Sequence, residues 1–446
     1  MISLFGTSGI RGSAKEFLTN QFCFDIGRAF GIFLKNHKQK GKIAVGMDPR
    51  RSSPRIKRSF SSGLLKEGYK VSDQGIVPAP AMNYILIADP AFVGSCMITG
   101  SHIRLDFNGL KFFAFKEEIL KKQEREIENI YKKIKERIPF KRKKIEFKKE
   151  NIAIKSYREM LLNIAKPPYP KWKIVIDASN GCQVKAIPTI LKKLGLKVKI
   201  INGNLQSEKF IPRDTETEEA VKELQEKVKK EKANFGIAFD GDGDRVVFVD
   251  KKGRFIPGDY TGTLIAKYSP TATVVIPTNV SQVVETIGKK IVRTKVGSPY
   301  VVEAMKKYKA FFGFEANGGG ISAEIMMSRD AGSVTIKILN LLTQSKKTLE
   351  ELINTLSKFF LYRVKINCPQ ELNPIILKKA KKKFKGIKTE EIDGLKIWLD
   401  KYAWILFRPS ANAPEFRVFA EAKTKEEAEK LGQKGINFVK SLVKPC

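Results

Sequence analysis

Residues 235–250, FGIAFDGDGDRVVFVD, set an apolar run against Asp240, Asp242 and Asp244 at alternate positions, in a chain of 446 residues with a formal net charge of +36. The run 235–239 is short, apolar and bounded by a Gly/Asp loop, so it reads as a buried strand. Gly241 and Gly243 remove the Cβ obstacle to a tight bend, and the loop can then turn several carboxylate oxygens onto one cation. Carboxylates this close repel one another unless something neutralises them, which disfavours an ordinary polar turn. An EF-hand needs glycine where Arg245 stands and a distal glutamate in register, so that form of calcium site is excluded. Magnesium fits better, because it takes few protein carboxylates and completes its shell with water and phosphate oxygens.

The strand before this loop closes a unit that occurs three times. Strands at 43–48, 69–77 and 92–99 alternate with helices at 54–67 and 80–88, and lead into GSHIRLDFNG. Strands at 172–177, 197–202 and 235–239 alternate with helices at 185–194 and 216–232, and lead into DGDGDR. Strands at 274–277, 291–296 and 311–314 alternate with helices at 281–290 and 300–308, and lead into EANGGG. Such alternation predicts parallel sheets with right-handed crossovers, whose ligands bind beyond the carboxyl ends of the strands. After about residue 360 the pattern becomes a strand (361–367), a helix (374–383), strands around KIWLD, AWILFRPS and FRVFAEA, and a final helix (424–443). The expected architecture is α/β, with three βαβαβ-type domains of parallel or mixed sheet (1–148, 149–252 and 253–358) and a C-terminal α+β domain (359–446), all facing one cleft. This agrees with the length, since one hydrophobic core rarely serves so long a chain and roughly three or four units are expected.

Composition narrows the setting. With 42% hydrophobic residues the chain is expected to fold, and its most apolar early stretch, AMNYILIADPAFVGSCMITG, is broken by Asp89, Pro90 and Gly94, so no membrane association is expected. The N-terminus lacks the pattern of a signal peptide, which predicts a cytoplasmic location. Cysteines at 23, 96, 182, 368 and 446 form no C-x-x-C pair and read as reduced structural residues. Lys and Arg crowd into 116–158, where interleaved Glu at helical spacing marks a solvated helix face. Without interleaved aromatic residues, the positive charge predicts attraction for small phosphorylated molecules and no nucleic-acid partner.

FGTSGIRG (5–12), TGSHIRLDFNGLK (99–111), DGDGDR (240–245), GFEANGGG (313–320) and RPSANAPEFRVFAEA (408–422) occur in the order and approximate spacing of the α-D-phosphohexomutase family, which the chain resembles over nearly its whole length. That family includes phosphoglucomutase, phosphomannomutase and phosphoglucosamine mutase. The resemblance implies a phosphoserine enzyme with Ser101 as carrier and Mg²⁺ held by an oxygen of its phosphoryl group together with Asp240, Asp242 and Asp244. It implies Lys111 as general acid/base, Arg11 and His102 assisting at the reacting hydroxyl, and Arg245 steadying the phosphoryl group. Glu315 and Asn317 would hold adjacent sugar hydroxyls, with Lys295 also on the substrate. Arg408, Ser410, Asn412 and Arg417 would bind the distal phosphate. Ile103-Arg104 stands where the family usually has Asn-Pro, and Ala411-Asn412-Ala413 where it has Gly, Thr and Glu.

The implied activity interconverts hexose 6-phosphate and hexose 1-phosphate of glucose or mannose, with glucosamine also admitted, through a hexose 1,6-bisphosphate that also serves as activator. The expected enzyme is a monomer or homodimer. The alternatives are phosphoglucosamine mutase specifically, or a metal-dependent sugar phosphatase or phosphotransferase, which would show net phosphate release.

Overall fold

The computed structural model describes residues 4–141, 147–270, 272–410 and 414–443, so part of the basic run, residues 142–146, and the predicted site residue Asn412 lie outside the described residues. Four sheets follow one another along the chain. In the first, strands Lys42–Met47, Lys70–Ile76 and Phe92–Ile98 run parallel, with Lys42–Met47 in the middle. In the second, Lys173–Asp177 lies in parallel between Lys197–Ile201 and Phe235–Phe239. In the third, Thr273–Pro277 lies in parallel between Lys290–Thr294 and Phe312–Phe314. The expected threefold unit is present in each.

Each unit also carries a return strand that the alternating pattern did not predict. Phe107–Ala114 pairs antiparallel with Phe92–Ile98, Val246–Asp250 with Phe235–Phe239, and Gly320–Ser322 with Phe312–Phe314. The three polar loops are therefore tips of antiparallel hairpins at the carboxyl edge of a parallel core. A hairpin tip is held at both ends by one hydrogen-bonded ladder, so its side chains are placed more firmly than those of a crossover loop. The fourth sheet is antiparallel throughout, and its hairpin Trp404–Pro409/Glu415–Ala422 carries the fourth loop.

Helices form where apolar spacing and capping agree. Asn20–Asn36 buries Phe22, Ile26, Phe30 and Phe33 on one side, and Thr19 caps it by accepting from the Phe22 amide. The helix expected over 281–290 is only a 3₁₀ turn, Gln282–Ile287, because Val283, Val284 and Thr286 are β-branched and Gly288 leaves in the left-handed region at φ 73°. The basic run forms helix Lys121–Ile134, which buries Glu124, Ile127 and Glu128. Among the described residues no helix is long and apolar enough to cross a membrane.

One hydrophobic core runs from Ala44 and Met97 through Ile176 and Phe239 to Phe314 and Leu339, joining the first three sheets, whereas the C-terminal unit has its own core around Ile405, Phe407 and Phe438. That unit is tied to the third sheet by polar contacts. The Gln282 amide donates to Glu421 (2.9 Å), Lys396 Nζ to the Thr278 carbonyl (3.1 Å) and Arg363 to Asp259 (3.0 Å).

Candidate active site

The hairpin tips of the first two sheets meet. Ser101 is buried, has a left-handed backbone at φ 48°, and donates from Oγ to Asp240 Oδ2 at 2.8 Å. Asp240, Asp242 and Asp244 are all buried, and one carboxylate oxygen from each lies within 4.8 Å of the other two. Gly243 takes the positive φ (73°) that the bend needs. Gly241 answers a different need, because a Cβ there would stand 2.2 Å from the Phe210 ring and 3.0 Å from the Ser101 carbonyl.

The acidic cluster is only partly satisfied by the protein. Asp240 accepts from the Gly243 and Arg245 amides, but both oxygens of Asp242 and Oδ1 of Asp244 are buried without a hydrogen-bond partner. Burial, together with the Asp242 and Asp244 charges, pushes the Asp240 carboxyl well above its ordinary range. Burial would also raise Asp244, yet Arg329, Lys111 and Arg245 hold it below that range. Orphaned hard oxygen donors converging in a buried site fit a metal ion such as magnesium or calcium, since a cation would satisfy them and relieve their repulsion.

Cations ring this cluster. Lys111, buried on the return strand Phe107–Ala114, donates to Asp244 Oδ2 at 2.9 Å and lies 3.5 Å from Glu118. Arg245 Nε stands 3.7 Å from Asp244 and 3.9 Å from Asp240. Arg11, on strand Ile10–Ser13, donates to the Thr99 carbonyl at the root of the serine loop and shares the field of Asp242. His102 Nδ1 lies 3.4 Å from Ser101 Oγ, and burial reinforced by Arg245 and Arg11 pushes this imidazole well below its ordinary pKa.

The third hairpin tip joins through a residue that sequence reasoning missed. Arg329 is buried and bridges Glu315 (2.7 Å) and Asp244 (2.8 Å), which couples the third loop to the acidic one. It follows the loop in SRDAG, a segment with no motif of its own. Asn317 accepts from the Gly319 amide through its side chain, and Thr215 donates to its backbone carbonyl. Glu118 was also missed; it accepts from Ser8 and Ser298 and so ties the FGTSGIRG segment and the start of helix Ser298–Tyr308 to Lys111.

The fourth sheet contributes a separate group of charged residues. Arg408 and Arg417 are directly opposite across the hairpin, with Lys365 opposite Arg417 on the other side. Like charges in register destabilise a sheet unless an anion lies over them. Arg408 donates to Asp393 at 2.7 Å, and Asp393 in turn accepts from the Val296 amide, which brings the exposed Lys295 close to the Arg408 strand. Ser410 is buried, and its amide donates to the Glu415 carbonyl. Glu216 pairs with Arg363 at 3.3 Å and lies within the electrostatic reach of both Arg245 and Arg417.

Comparison with known proteins agrees with this arrangement. Sequence models of the phosphoglucomutase/phosphomannomutase α/β/α domains I, II and III match residues 3–138, 155–253 and 257–359. A phosphoglucomutase/phosphomannomutase of Thermococcus kodakarensis is 35% identical, with 100% of both chains covered. A phosphoglucosamine/phosphogalactosamine mutase of Sulfurisphaera tokodaii is 33% identical, with 99% of each covered. A crystal structure of a phosphoglucomutase/phosphomannomutase family protein from Burkholderia thailandensis shares the fold, with a TM-score of 0.83 at 23% identity over 99% of this chain and 98% of that one. With three α/β/α units in family order, full-length similarity to such mutases, and a serine hairpin seated on a triad of aspartates, this chain belongs to the phosphoglucomutase/phosphomannomutase family of hexose phosphate mutases.

Proposed function

We propose that this mutase interconverts hexose 1-phosphate and hexose 6-phosphate with Ser101 as phosphoryl carrier and Mg²⁺ as its metal. The observation that carries the reading is the 2.8 Å contact of Ser101 Oγ with Asp240, inside a carboxylate cluster that is itself ringed by Lys111, Arg245 and Arg329. Asp240, Asp242 and Asp244 would hold the ion, which when bound supplies charge neutralisation to the phosphoryl oxygens.

Transfer breaks the Ser101 Oγ–P bond and forms a P–O bond to the substrate hydroxyl. Lys111 serves as the general acid/base with His102 beside Ser101 assisting, so that the substrate hydroxyl gives up its proton as the P–O bond forms and Ser101 Oγ takes one up as it leaves phosphorus. Arg245 orients the phosphoryl group, Glu315 and Asn317 hold the sugar, Lys295 also binds the substrate, and Arg408, Ser410, Asn412 and Arg417 hold the distal phosphate. The resulting 1,6-bisphosphate turns end for end, and its other phosphate returns to Ser101. Positioning and charge stabilisation, more than covalent chemistry, are what phosphoryl transfer demands.

No side chain of the set is committed to C2, so glucose 1-phosphate and mannose 1-phosphate should both turn over, with glucosamine 1-phosphate also admitted. The proposed units are 1–148, 149–252, 253–358 and 359–446, and the proposed location is the cytoplasm, which accords with four buried free cysteines among the described residues. Ser101→Ala tests the reading in a mutase assay. It should fold as the parent does and lose nearly all turnover, whereas parental activity would remove Ser101 from the reaction.

A further inference from the structure

Lys42–Met47 is the central strand of the first sheet, and its carboxyl end opens directly beside the serine loop, with the Asp48 amide donating to the Ile98 carbonyl at 2.9 Å. Arg50, two residues on, is 2% exposed although it is charged. All five guanidinium N–H groups find acceptors. Nε donates to Asp48 Oδ2 (3.1 Å), Nη1 to the carbonyls of Arg104 (2.7 Å) and Phe107 (3.1 Å), and Nη2 to those of Ser101 (2.8 Å) and Ile103 (2.6 Å). Asp48 Oδ2 also accepts from the Gly100 amide at 3.1 Å. One ion pair therefore gathers residues 100–107 around a single point.

We propose that Arg50 is a positioning residue for phosphoryl transfer, holding the backbone of Ser101 so that its Oγ stays aligned with the acidic loop. The proposal rests on Ser101 being the phosphoryl carrier. Arg50 touches the Ser101 carbonyl, not Oγ, so it acts through the loop. Three observations support it. Ser101 has φ 48°, a backbone state that a serine keeps only when its surroundings impose it. Ile103-Arg104 supplies no proline to fix a backbone dihedral, so the guanidinium reinforces a loop whose own backbone bonds are two, from the Ile103 amide to the Gly100 carbonyl and from the Phe107 amide to the Arg104 carbonyl.

The third observation is the stack behind the guanidinium. Its carbon lies 4.9 Å from the centre of the Phe210 ring, and the same ring closes on Gly241 of the acidic loop. Serine loop, guanidinium, Phe210 and acidic loop are thus in continuous contact. Gly100 belongs to the device, since a Cβ there would stand 2.5 Å from the guanidinium carbon. A lysine cannot replace the planar fork, because its ammonium offers three donors around a point instead of five in a plane.

The test uses Arg50→Lys and Arg50→Ala in the full chain, with steady-state kinetics on glucose 1-phosphate, thermal unfolding, and added millimolar guanidinium chloride. Both variants should fold and keep KM near the parental value, while kcat falls roughly 100-fold, the scale expected for an ångström of misplacement at a reacting atom. Guanidinium should restore part of the kcat of Arg50→Ala and none of that of Arg50→Lys, whose side chain fills the space. Parental kcat in both variants, a rise in KM without loss of kcat, or a folded Arg50→Ala that guanidinium does not rescue would overturn the proposal. Unfolding of both variants would overturn it too, in favour of a purely structural part. Failure of the underlying reading is separate, because Ser101→Ala would then remain active.

Discussion

Of the three loop aspartates Asp242 is the least satisfied by the protein, with both carboxylate oxygens buried and unpartnered. Its cost without a cation should be that of a buried unmet polar group, about 1–3 kcal/mol. Asp242→Asn should therefore raise the stability of the metal-free protein while lowering the extra stability gained on adding Mg²⁺, since one ligand charge is lost. Unfolding curves with chelator and with excess Mg²⁺ measure both. Equal metal-induced stabilisation in parent and variant would remove Asp242 from the ligand set. The triad was legible from alternation and charge alone. Arg329 and Arg50 were not, because an arginine in SRDAG or DPRRSS carries no period or spacing, and its partners come from distant parts of the chain.

Among the elements, the helix Lys121–Ile134 shows how a surface segment serves the site. Lys121 Nζ donates to the Gly6 carbonyl and to Glu124 at 2.7 Å, which clasps the FGTSGIRG segment against the helix. Burial, only partly offset by Lys121, pushes the Glu124 carboxyl from 4.5 up to about 7. Because the folded state binds this proton more tightly than the unfolded chain, the stabilisation is complete below about pH 4.5 and is lost as pH rises through about 7, a fall of up to about 3 kcal/mol. Glu124→Gln should remove that fall, so denaturant midpoints at about pH 5 and pH 8 should differ less in the variant than in the parent. Equal differences would show that Glu124 is already ionised across this window. The parallel strands were legible from apolar runs set between helical periods. The return strands were not, since Gly320–Ser322 is only three residues and Val246–Asp250 is buried at every position, which erases the alternation that marks a half-exposed strand.

At the scale of the whole molecule, three sheets share one core while the fourth unit has its own and meets the rest through polar contacts. Such an interface suits a unit that supplies one phosphate site to both orientations of a turning bisphosphate. Arg417→Ala should lower kcat/KM for hexose 1-phosphate and hexose 6-phosphate alike, by about 2–4 kcal/mol in transition-state terms. It should also make turnover depend on added glucose 1,6-bisphosphate. Unchanged kinetics without added bisphosphate would mean that the arginine row of the fourth sheet does not hold phosphate.

The central claim is that a phosphoryl group moves between Ser101 and the sugar, and one single-turnover experiment reads it. The enzyme is charged with glucose 1,6-bisphosphate, freed of ligand, mixed with hexose 1-phosphate and Mg²⁺, and quenched, and the peptide containing Ser101 and the sugar products are then weighed together. The account predicts one phosphate on that peptide before mixing, lost in step with the appearance of bisphosphate and without release of inorganic phosphate. A peptide that never carries phosphate, or one whose phosphate leaves to water, would contradict it.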